Sequence, residues 1–244
     1  MLSDDDIDRY ARHLVLKEIG GQGQMKLRAA KVALIGMGGI GSPAALYLAA
    51  AGVGTLGLID DDTVSLSNLQ RQVLYGTDDI GAPKAWVANN RLSGLNPGCD
   101  CRVHGLRLDD GNAAQVLGDY DIVLDGCDNF PTRLLVNRVC RALDTPLVSA
   151  AIGRWSGQLG VFTGKPCYQC LVAETPPDAE TCERAGVVGA LAGVMGTLAA
   201  LETVRLITGA GESLAGRLLI FDGLTMQSRI VGLAPDPECP VCGR

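Results

Sequence analysis

A strand, a glycine-rich loop and a helix follow one another without a break near the start of the chain. Residues 31–35 (K-V-A-L-I) predict a buried strand, residues 36–41 contain the pattern G-x-G-x-x-G, and an alanine-rich helix follows. A second strand, predicted over residues 54–59, ends at Asp60. Glycines at this spacing bring backbone N–H groups against a nucleotide, and the acidic residue accepts hydrogen bonds from ribose hydroxyls. This unit predicts a nucleotide-binding α/β sheet.

Strands and helices continue to alternate as far as residue 152. Further strands are predicted at 101–106, 121–124 and 146–152, and further helices at 83–95, 112–117 and 132–143. This spacing is typical of βαβ units, so the predicted fold class is α/β with a Rossmann-like, doubly wound and mostly parallel sheet.

The pattern differs at the two ends of the chain. Ser3 and Asp6 resemble a capping box that opens a helix over residues 4–17, ended by the glycines of residues 20–23. After residue 152, short strands at 158–163, 217–221 and 228–233 flank a long apolar helix at 187–208, which predicts an antiparallel extension of the sheet. We expect one domain over residues 1–244, divided into an N-terminal helical region (1–30), a nucleotide-binding part (31–152) and a C-terminal part (153–244).

Composition and charge narrow the classes of function. Of the 244 residues, 47% are hydrophobic and 20% charged, which predicts a folded chain, and a net charge of −6 argues against nucleic acid as the main partner. The N-terminus is acidic, whereas a signal peptide would be basic and then apolar. The longest apolar run, residues 186–201, is shorter than a membrane span and predicts a packed internal helix. We therefore expect a cytoplasmic protein without a membrane partner.

Polar residues gather where the predicted strands end. The run S-L-S-N-L-Q-R-Q at residues 65–72 follows the second strand, Lys84 opens the next helix, and Asp128 and Asn129 follow the fourth strand. Open α/β sheets bind ligands at this edge. Arg71 and Lys84 are cations suited to a triphosphate, and Asp128 is a carboxylate able to hold Mg²⁺.

Two kinds of enzyme remain open at this point. The glycine loop with Asp60 is also the signature of an NAD-dependent oxidoreductase. Hydride transfer needs no triphosphate clamp, however, and neither His13 nor His104 falls at the carboxyl end of a predicted strand, where a dehydrogenase acid or base would lie. Arg71 or Lys84 taken alone is more often a solvated surface cation, so the prediction depends on their combination.

Four of the nine cysteines form two C-x-x-C pairs. Four thiolates with this local spacing suit a tetrahedral structural Zn²⁺, while two redox pairs or incidental cysteines are the alternatives. The predicted zinc ligands are Cys167, Cys170, Cys239 and Cys242.

The remaining cysteines have other predicted roles. Cys182 lies in a polar loop near Arg184 and before a helix, where a thiol with a lowered pKa would be a nucleophile; an unreactive loop cysteine is the alternative. We interpret four other cysteines as small residues in or near the core: Cys99, Cys101, Cys127 and Cys140.

These motifs together resemble the ThiF/MoeB (HesA/MoeB/ThiF) family, bacterial relatives of the ubiquitin-activating enzymes. The resemblance covers nearly the whole chain. Its most specific parts are the run at residues 65–72 and the two C-x-x-C pairs, whose four cysteines we call the knuckle cysteines. The motifs, in the family's order, are Arg9-Tyr10-x-Arg12, G-x-G-G-I-G, Asp60-x-Asp62, S-L-S-N-L-Q-R-Q, Pro83-Lys84, Leu124-Asp125-x-x-Asp128-Asn129 and the two C-x-x-C pairs.

The resemblance implies a homodimer that uses ATP and Mg²⁺ to adenylylate a small ubiquitin-like carrier protein ending in Gly-Gly, bound by the C-terminal part. By similarity, Asp128 binds Mg²⁺ and is essential, and Arg12 reaches the phosphates from the partner subunit. Asn68, Arg71 and Lys84 contact the phosphates, so Arg71 and Lys84 join the catalytic set. The implied nucleotide site comprises Gly36, Gly38, Gly39, Gly41, Asp60, Asp62, Asn68, Arg71, Gln72, Lys84, Asp128 and Asn129.

The sequence does not decide in which biosynthetic pathway the implied carrier protein acts. Cys182 occupies the position of a cysteine that ThiF-type proteins link to their carrier, and MoeB-type proteins have a cysteine there as well. Residues 185–189 and 221–223 resemble ThiF more, whereas residues 62–65 resemble MoeB more. Both thiamine and molybdopterin supply remain open.

Overall fold

The computed structural model describes residues 2–174 and 186–243 of the chain. One eight-stranded sheet runs through the described part. Five of its strands run parallel to one another: β1 (Lys31–Ile35), β2 (Thr55–Ile59), β3 (Asp100–His104), β4 (Ile122–Asp125) and β5 (Leu147–Gly153). Their order across the sheet is β3-β2-β1-β4-β5. The four inner strands of this set are rich in Val, Leu, Ile and Ala because helices cover both faces, whereas the edge strand β3 is polar and partly exposed.

The last three strands are antiparallel: β6 (Ser156–Phe162), β7 (Arg217–Asp222) and β8 (Gln227–Gly232). β6 returns beside β5 through a tight connection, β7 pairs with β6, and β8 forms the edge. The predicted fold class, a doubly wound parallel sheet with an antiparallel C-terminal extension, is confirmed.

Two hydrophobic cores lie on opposite faces of the sheet. The described helices are α1 (Asp4–Arg9), α2 (Ala11–Leu14), α3 (Gly20–Ala29), α4 (Gly41–Ala51), α5 (Lys84–Leu95), α6 (Ala113–Leu117), α7 (Phe130–Leu143), α8 (Tyr168–Leu171) and α9 (Gly189–Thr208). One core contains side chains of α3, α4, α5 and α9, and the other those of α6, α7 and α8.

The N-terminal region differs from its prediction. The capping box of Ser3 and Asp6 is present, but the helix predicted over residues 4–17 breaks at Tyr10. Tyr10 is buried, and its hydroxyl accepts a hydrogen bond from Asn96. The glycines of residues 20–23, predicted to end a helix, begin α3 instead. Tertiary packing decides both outcomes, and such packing is invisible to local sequence patterns.

Helix α9 has the length and apolar composition of a membrane span. In the structure it packs against α3, α4 and strands of the sheet. A methyl group at Gly196 would lie 2.4 Å from the Ile40 carbonyl oxygen, so the helix approaches the start of α4 very closely. The helix also carries a buried carboxylate, Glu202, which accepts hydrogen bonds from Arg205 and from the Leu214 amide. This helix forms part of the core, as the sequence predicts.

Candidate functional site

A cavity of about 450 Å³ opens at the carboxyl ends of the parallel strands. Ligands bind at this edge in open α/β sheets, and the volume lies within the range of small-molecule sites. Of the described residues predicted for the site, Arg12, Gly41 and Asn68 lie outside the cavity lining. The predicted residues that do line it are Gly36, Gly38, Gly39, Asp60, Asp62, Arg71, Gln72, Lys84, Asp128 and Asn129.

The glycine loop is shaped by two positions where a side chain would not fit. Gly36 has a φ of +83°, a conformation that L side chains rarely adopt. A methyl group at Gly41 would lie 1.9 Å from the Gly36 carbonyl oxygen, so the loop closes directly on the first turn of α4. The Tyr75 hydroxyl donates a hydrogen bond of 2.7 Å to the Met37 carbonyl oxygen, and Ser42 Oγ donates to the same atom. The loop is therefore fixed from both sides.

Asp60 connects the glycine loop to the segment after β2. Its Oδ2 accepts the Met37 amide at 2.7 Å, and its Oδ1 accepts the Asp62 amide at 2.8 Å. Burial raises the pKa of Asp60, and nearby Lys84 and the two amides oppose that rise without cancelling it. Each carboxylate oxygen keeps a further lone pair, so Asp60 can still accept two hydroxyl hydrogens from a bound ribose.

Two predicted cations face the cavity from different elements. The Lys84 ammonium is 6% exposed and lies 2.9 Å from an Asp62 carboxylate that is 69% exposed. The Arg71 guanidinium donates to the Ser67 carbonyl oxygen at 3.1 Å. Asn68 positions Arg71 indirectly, because its carbonyl oxygen accepts the Arg71 amide. Both cations thus line the cavity in fixed positions, Lys84 buried and paired with Asp62 and Arg71 bonded to a backbone oxygen.

Asp128 and Asn129 occupy the loop between β4 and α7. Asn129 is the N-cap of α7, since its Oδ1 accepts the Thr132 amide at 2.9 Å. Asp128 is exposed to the cavity, and no described residue donates a hydrogen bond to its carboxylate. A single free carboxylate beside a phosphate site fits Mg²⁺, which binds one or two carboxylates and completes its shell with phosphate and water.

Gln72 lines the same cavity and carries a buried acceptor without a partner among the described residues. The side chain is 4% exposed, and its Oε1 has no hydrogen-bond partner in the described part of the chain. A buried polar atom of this kind costs free energy unless a partner arrives. Gln72 therefore lies where it was predicted to lie, and its contact with a ligand stays a prediction.

Two arginines that line the cavity were missed at the level of sequence. Arg107 lies 3.8 Å from the Asp61 carboxylate. Arg133 of α7 donates hydrogen bonds to Asp125 and Ser149. Arg107 lies three residues beyond the end of β3, at the binding edge, and that position is the signal that would have identified it.

The position of His104 within its strand differs from the predicted one. Strand β3 ends at His104, so this histidine does occupy the carboxyl end of a strand, contrary to the expectation from the predicted span 101–106. Its Nε2 lies 2.8 Å from the Tyr120 hydroxyl, and burial lowers its pKa. His104 is not one of the described residues that line the cavity.

The four knuckle cysteines come together beside α8. All four sulfur atoms lie within 4.8 Å of one another, with 3.7 Å between Cys167 and Cys239 and 3.3 Å between Cys170 and Cys242. A tetrahedral Zn²⁺ with Zn–S bonds of about 2.3 Å places its sulfurs about 3.8 Å apart. Asn137 of α7 donates to the Cys167 sulfur at 3.5 Å, as an outer partner of a metal ligand does. The donor set therefore fits a closed zinc site.

The other cysteines divide into two groups. Cys99, Cys127 and Cys140 are buried and Cys101 is half-buried, which confirms that they lie in or near the core. Cys182 lies outside the described residues, so its predicted role as a nucleophile stays a prediction.

Comparison with known proteins identifies the family. Residues 10–241 match the ThiF family. The chain is 44% identical to the sulfur carrier protein adenylyltransferase of Thermus thermophilus, covering 98% of this chain and 92% of that relative. It is 46% identical to the sulfur carrier protein ThiS adenylyltransferase of Escherichia coli, covering 99% and 97%. The crystal structure of Escherichia coli MccB with AMPCPP and MccA shares the fold, with a TM-score of 0.86, 24% identity, and coverage of 100% of this chain and 75% of that one. The chain belongs to the ThiF family.

Proposed function

We propose that this protein adenylylates the C-terminal glycine of a small ubiquitin-like sulfur-carrier protein with ATP. One observation supports this most directly: the cavity at the strand ends combines a glycine loop and Asp60 with the cations Arg71 and Lys84 and the free carboxylate Asp128. These groups suit a ribose, a triphosphate and a divalent cation in one place. The names of the Thermus thermophilus and Escherichia coli relatives agree with that chemistry.

In the proposed reaction, a carboxylate oxygen of the carrier's terminal glycine attacks the α-phosphorus of ATP. The bond between the α-phosphorus and the bridging oxygen breaks, pyrophosphate leaves with that electron pair, and a carrier acyl-adenylate forms. No protein nucleophile is needed, because the reaction is driven by positioning and by charge stabilisation on phosphoryl oxygens. Asp60 holds the ribose, while Arg71, Lys84 and the neighbouring Asn68 contact the phosphates.

Two metal ions belong to the proposal. Mg²⁺, held by Asp128, neutralises phosphate charge when bound. Zn²⁺, held by the four knuckle cysteines, fastens the C-terminal segment to the flank of the sheet. Four thiolates would fill the coordination shell of zinc, so the ion would be structural.

The proposed assembly is a cytoplasmic homodimer that binds its carrier through the C-terminal part of the domain. Arg12 is exposed on α2 and lies outside its own chain's cavity lining, which agrees with a role in the partner's site. The carrier belongs to thiamine or molybdopterin supply. Cys182 is either a covalent site for the carrier or a bystander.

An NAD-dependent oxidoreductase is the competing proposal from the glycine loop and Asp60. Arg71, Lys84 and Arg107 all line the cavity, and a triphosphate uses such a set of cations more fully than the diphosphate of NAD does. A thermal-shift comparison separates the two proposals. Stabilisation by NAD but not by ATP with Mg²⁺ would contradict the adenylyltransferase proposal.

ATP–pyrophosphate exchange tests the function directly. The purified zinc-replete protein is incubated with Mg²⁺, labelled pyrophosphate and one Gly-Gly carrier from each pathway. We expect exchange only when a carrier is present, and the carrier that supports it identifies the pathway. Absence of exchange with every carrier would overturn the proposal.

Removing the Asp128 carboxylate tests the proposed Mg²⁺ role. We expect Asp128→Ala to lower exchange by about 100-fold or more while the melting temperature stays near that of the wild type, because Asp128 is exposed and has no described protein partner to lose. Asp78→Ala, at another exposed aspartate, is the control and should exchange normally. Near-normal exchange by Asp128→Ala would exclude the Mg²⁺ role.

A further inference from the structure

A buried ion pair lies directly beneath the loop that carries Asp128. Asp125, the last residue of β4, is 1% exposed, and the Arg133 side chain is 6% exposed. Arg133 Nη1 donates to Asp125 Oδ2 at 3.2 Å and to Ser149 Oγ at 3.0 Å, and Ser149 Oγ donates to the same carboxylate at 2.9 Å. The hydrogen bonds of this ion pair therefore connect β4, β5 and α7.

This pair also holds the backbone immediately before Asp128. The Cys127 amide donates to Asp125 Oδ1 at 3.0 Å, and the Cys127 carbonyl oxygen accepts a hydrogen bond from Arg133 Nη2. The same Nη2 donates to the Ala150 carbonyl oxygen at 2.9 Å, which ties the loop to β5. Both polar groups of the Cys127 backbone are thus fixed by one charged pair.

The residue after Asp128 is fixed as well, because Asn129 caps α7. Asp128 itself has no hydrogen-bond donor among the described residues, so the direction of its side chain depends on the backbone on either side. Both terminal nitrogens of Arg133 are occupied by protein acceptors, and Arg133 is therefore not placed to bind phosphate.

We propose that Arg133 is a positioning residue, which aims Asp128 at the Mg²⁺ of bound ATP by clamping the Cys127 carbonyl group. This inference rests on the proposed function, since it concerns the same nucleotide site. The Asp125 carboxylate balances the charge of the Arg133 guanidinium. The ion pair therefore adds little net charge near the proposed Mg²⁺ position. Outer partners of metal ligands act in this way, and their loss typically lowers metal affinity by about 10- to 100-fold.

The test measures equilibrium binding of ATP by calorimetry, once with Mg²⁺ and once with a chelator. The ratio of the two Kd values gives the Mg²⁺ enhancement without any need for a carrier or for turnover. We expect Arg133→Lys to reduce this enhancement by about 10-fold or more. Arg138→Lys is the matched control, because Arg138 lies on the same helix with an exposed partner, Asp110, and should leave the enhancement unchanged.

A double-mutant cycle separates positioning from general support of the fold. In an Asp128→Asn background, Arg133→Lys should reduce the Mg²⁺ enhancement no further, because the residue through which it acts is already removed. An equal reduction in both backgrounds would overturn the inference. So would a lower melting temperature of Arg133→Lys with a wild-type enhancement.

Ser149→Ala is the second variant if Arg133→Lys fails to fold. It removes one hydrogen-bond partner of the guanidinium and leaves the charge in place. We expect it to lower the Mg²⁺ enhancement by a smaller factor, again with no further effect in the Asp128→Asn background. An unchanged enhancement would overturn the inference.

A wild type that does not bind ATP contradicts the proposed function itself. A wild type that binds ATP with no Mg²⁺ enhancement overturns only the inference about Arg133.

Discussion

At the scale of single residues, Asp60 has two tasks that oppose each other. It must be ionised to accept the Met37 and Asp62 amides and a ribose together, yet it lies where burial raises its pKa. Because the pKa in the folded state exceeds that in the unfolded state, protonation of Asp60 costs less in the folded protein, and its contribution to stability increases as the pH falls through the raised pKa. Acid therefore weakens ligand binding through Asp60 without weakening the fold through this residue.

The corresponding prediction concerns ATP affinity against pH. As the pH falls, the wild-type affinity should decrease at a higher pH than an ordinary aspartate would cause, because protonated Asp60 loses acceptor capacity. Asp60→Asn should bind several-fold more weakly at neutral pH and lack this component. Calorimetry gives the Kd of both proteins in the same series of buffers. The ratio of the two Kd values at each pH removes the effect of the titration of ATP itself. Identical pH profiles in the two proteins would contradict the assignment.

Sequence identified ten of the residues that line the cavity and missed others, among them residues whose role depends on a partner in space. Asp60, Lys84 and Asp128 follow predicted strands or open a predicted helix, so their positions are set by local patterns. Arg133 and Asp125 belong together only because β4 and α7 bring them within 3.2 Å. Nothing in the spacing of the two residues distinguishes that pair from two unrelated charges.

At the scale of elements, the unit of β1, the glycine loop and α4 depends on one close approach. Gly41 is the first residue of α4, and its hydrogen faces the Gly36 carbonyl oxygen. A glycine within a helix is normally unfavourable relative to alanine, by about 0.5–1 kcal/mol. At Gly41 the close contact outweighs that preference.

Gly41→Ala tests this contact. The added methyl group would lie 1.9 Å from a backbone oxygen, so the loop must shift, and we expect a loss of unfolding free energy of at least about 1–3 kcal/mol together with weaker ATP binding. Gly193→Ala in α9 is the matched control, since nothing described lies within 4 Å of its added methyl group. That variant should be neutral or more stable by about 0.5–1 kcal/mol in urea unfolding. Equal stability changes in the two variants would exclude the steric explanation.

The strands were easier to predict than the N-terminal helices. β1 has its predicted bounds, and β2 begins one residue later than predicted, because apolar runs bounded by Gly and Asp define buried strands. The break at Tyr10 coincides with burial of its side chain against distant residues. One such contact is the bond between Tyr10 and Asn96, which lie 86 residues apart. Long-range packing of this kind leaves no periodic signal.

At the scale of the whole molecule, the proposed homodimer places Arg12 of each subunit in the nucleotide site of its partner. A dimer in which Arg12 crosses between subunits makes a sharp prediction for mixed dimers. Arg12→Ala and Asp128→Ala should each be inactive as homodimers. A mixed dimer of the two should contain one intact site and one doubly defective site, and hence about half the wild-type exchange activity.

Co-expression with two different affinity tags and sequential purification isolates the mixed dimer for this measurement. The Arg12→Ala homodimer carrying both tags is the control and should stay inactive. A mixed dimer as inactive as its parents would show that Arg12 does not act in the partner's site.

The cysteine cluster joins sequence positions 72 residues apart, so its metal affects the molecule as a whole. We expect about one zinc per chain, and Cys239→Ser should abolish stoichiometric zinc and lower the melting temperature by about 5 °C or more, because an open loop replaces a metal cross-link. Cys101→Ala, at a cysteine outside the cluster, should keep its zinc. Metal analysis with thermal unfolding measures both effects. Since the cavity lining contains none of the four cysteines, folded Cys239→Ser should still bind ATP below its melting temperature, whereas loss of ATP binding in folded protein would place the metal in the reaction instead of the scaffold.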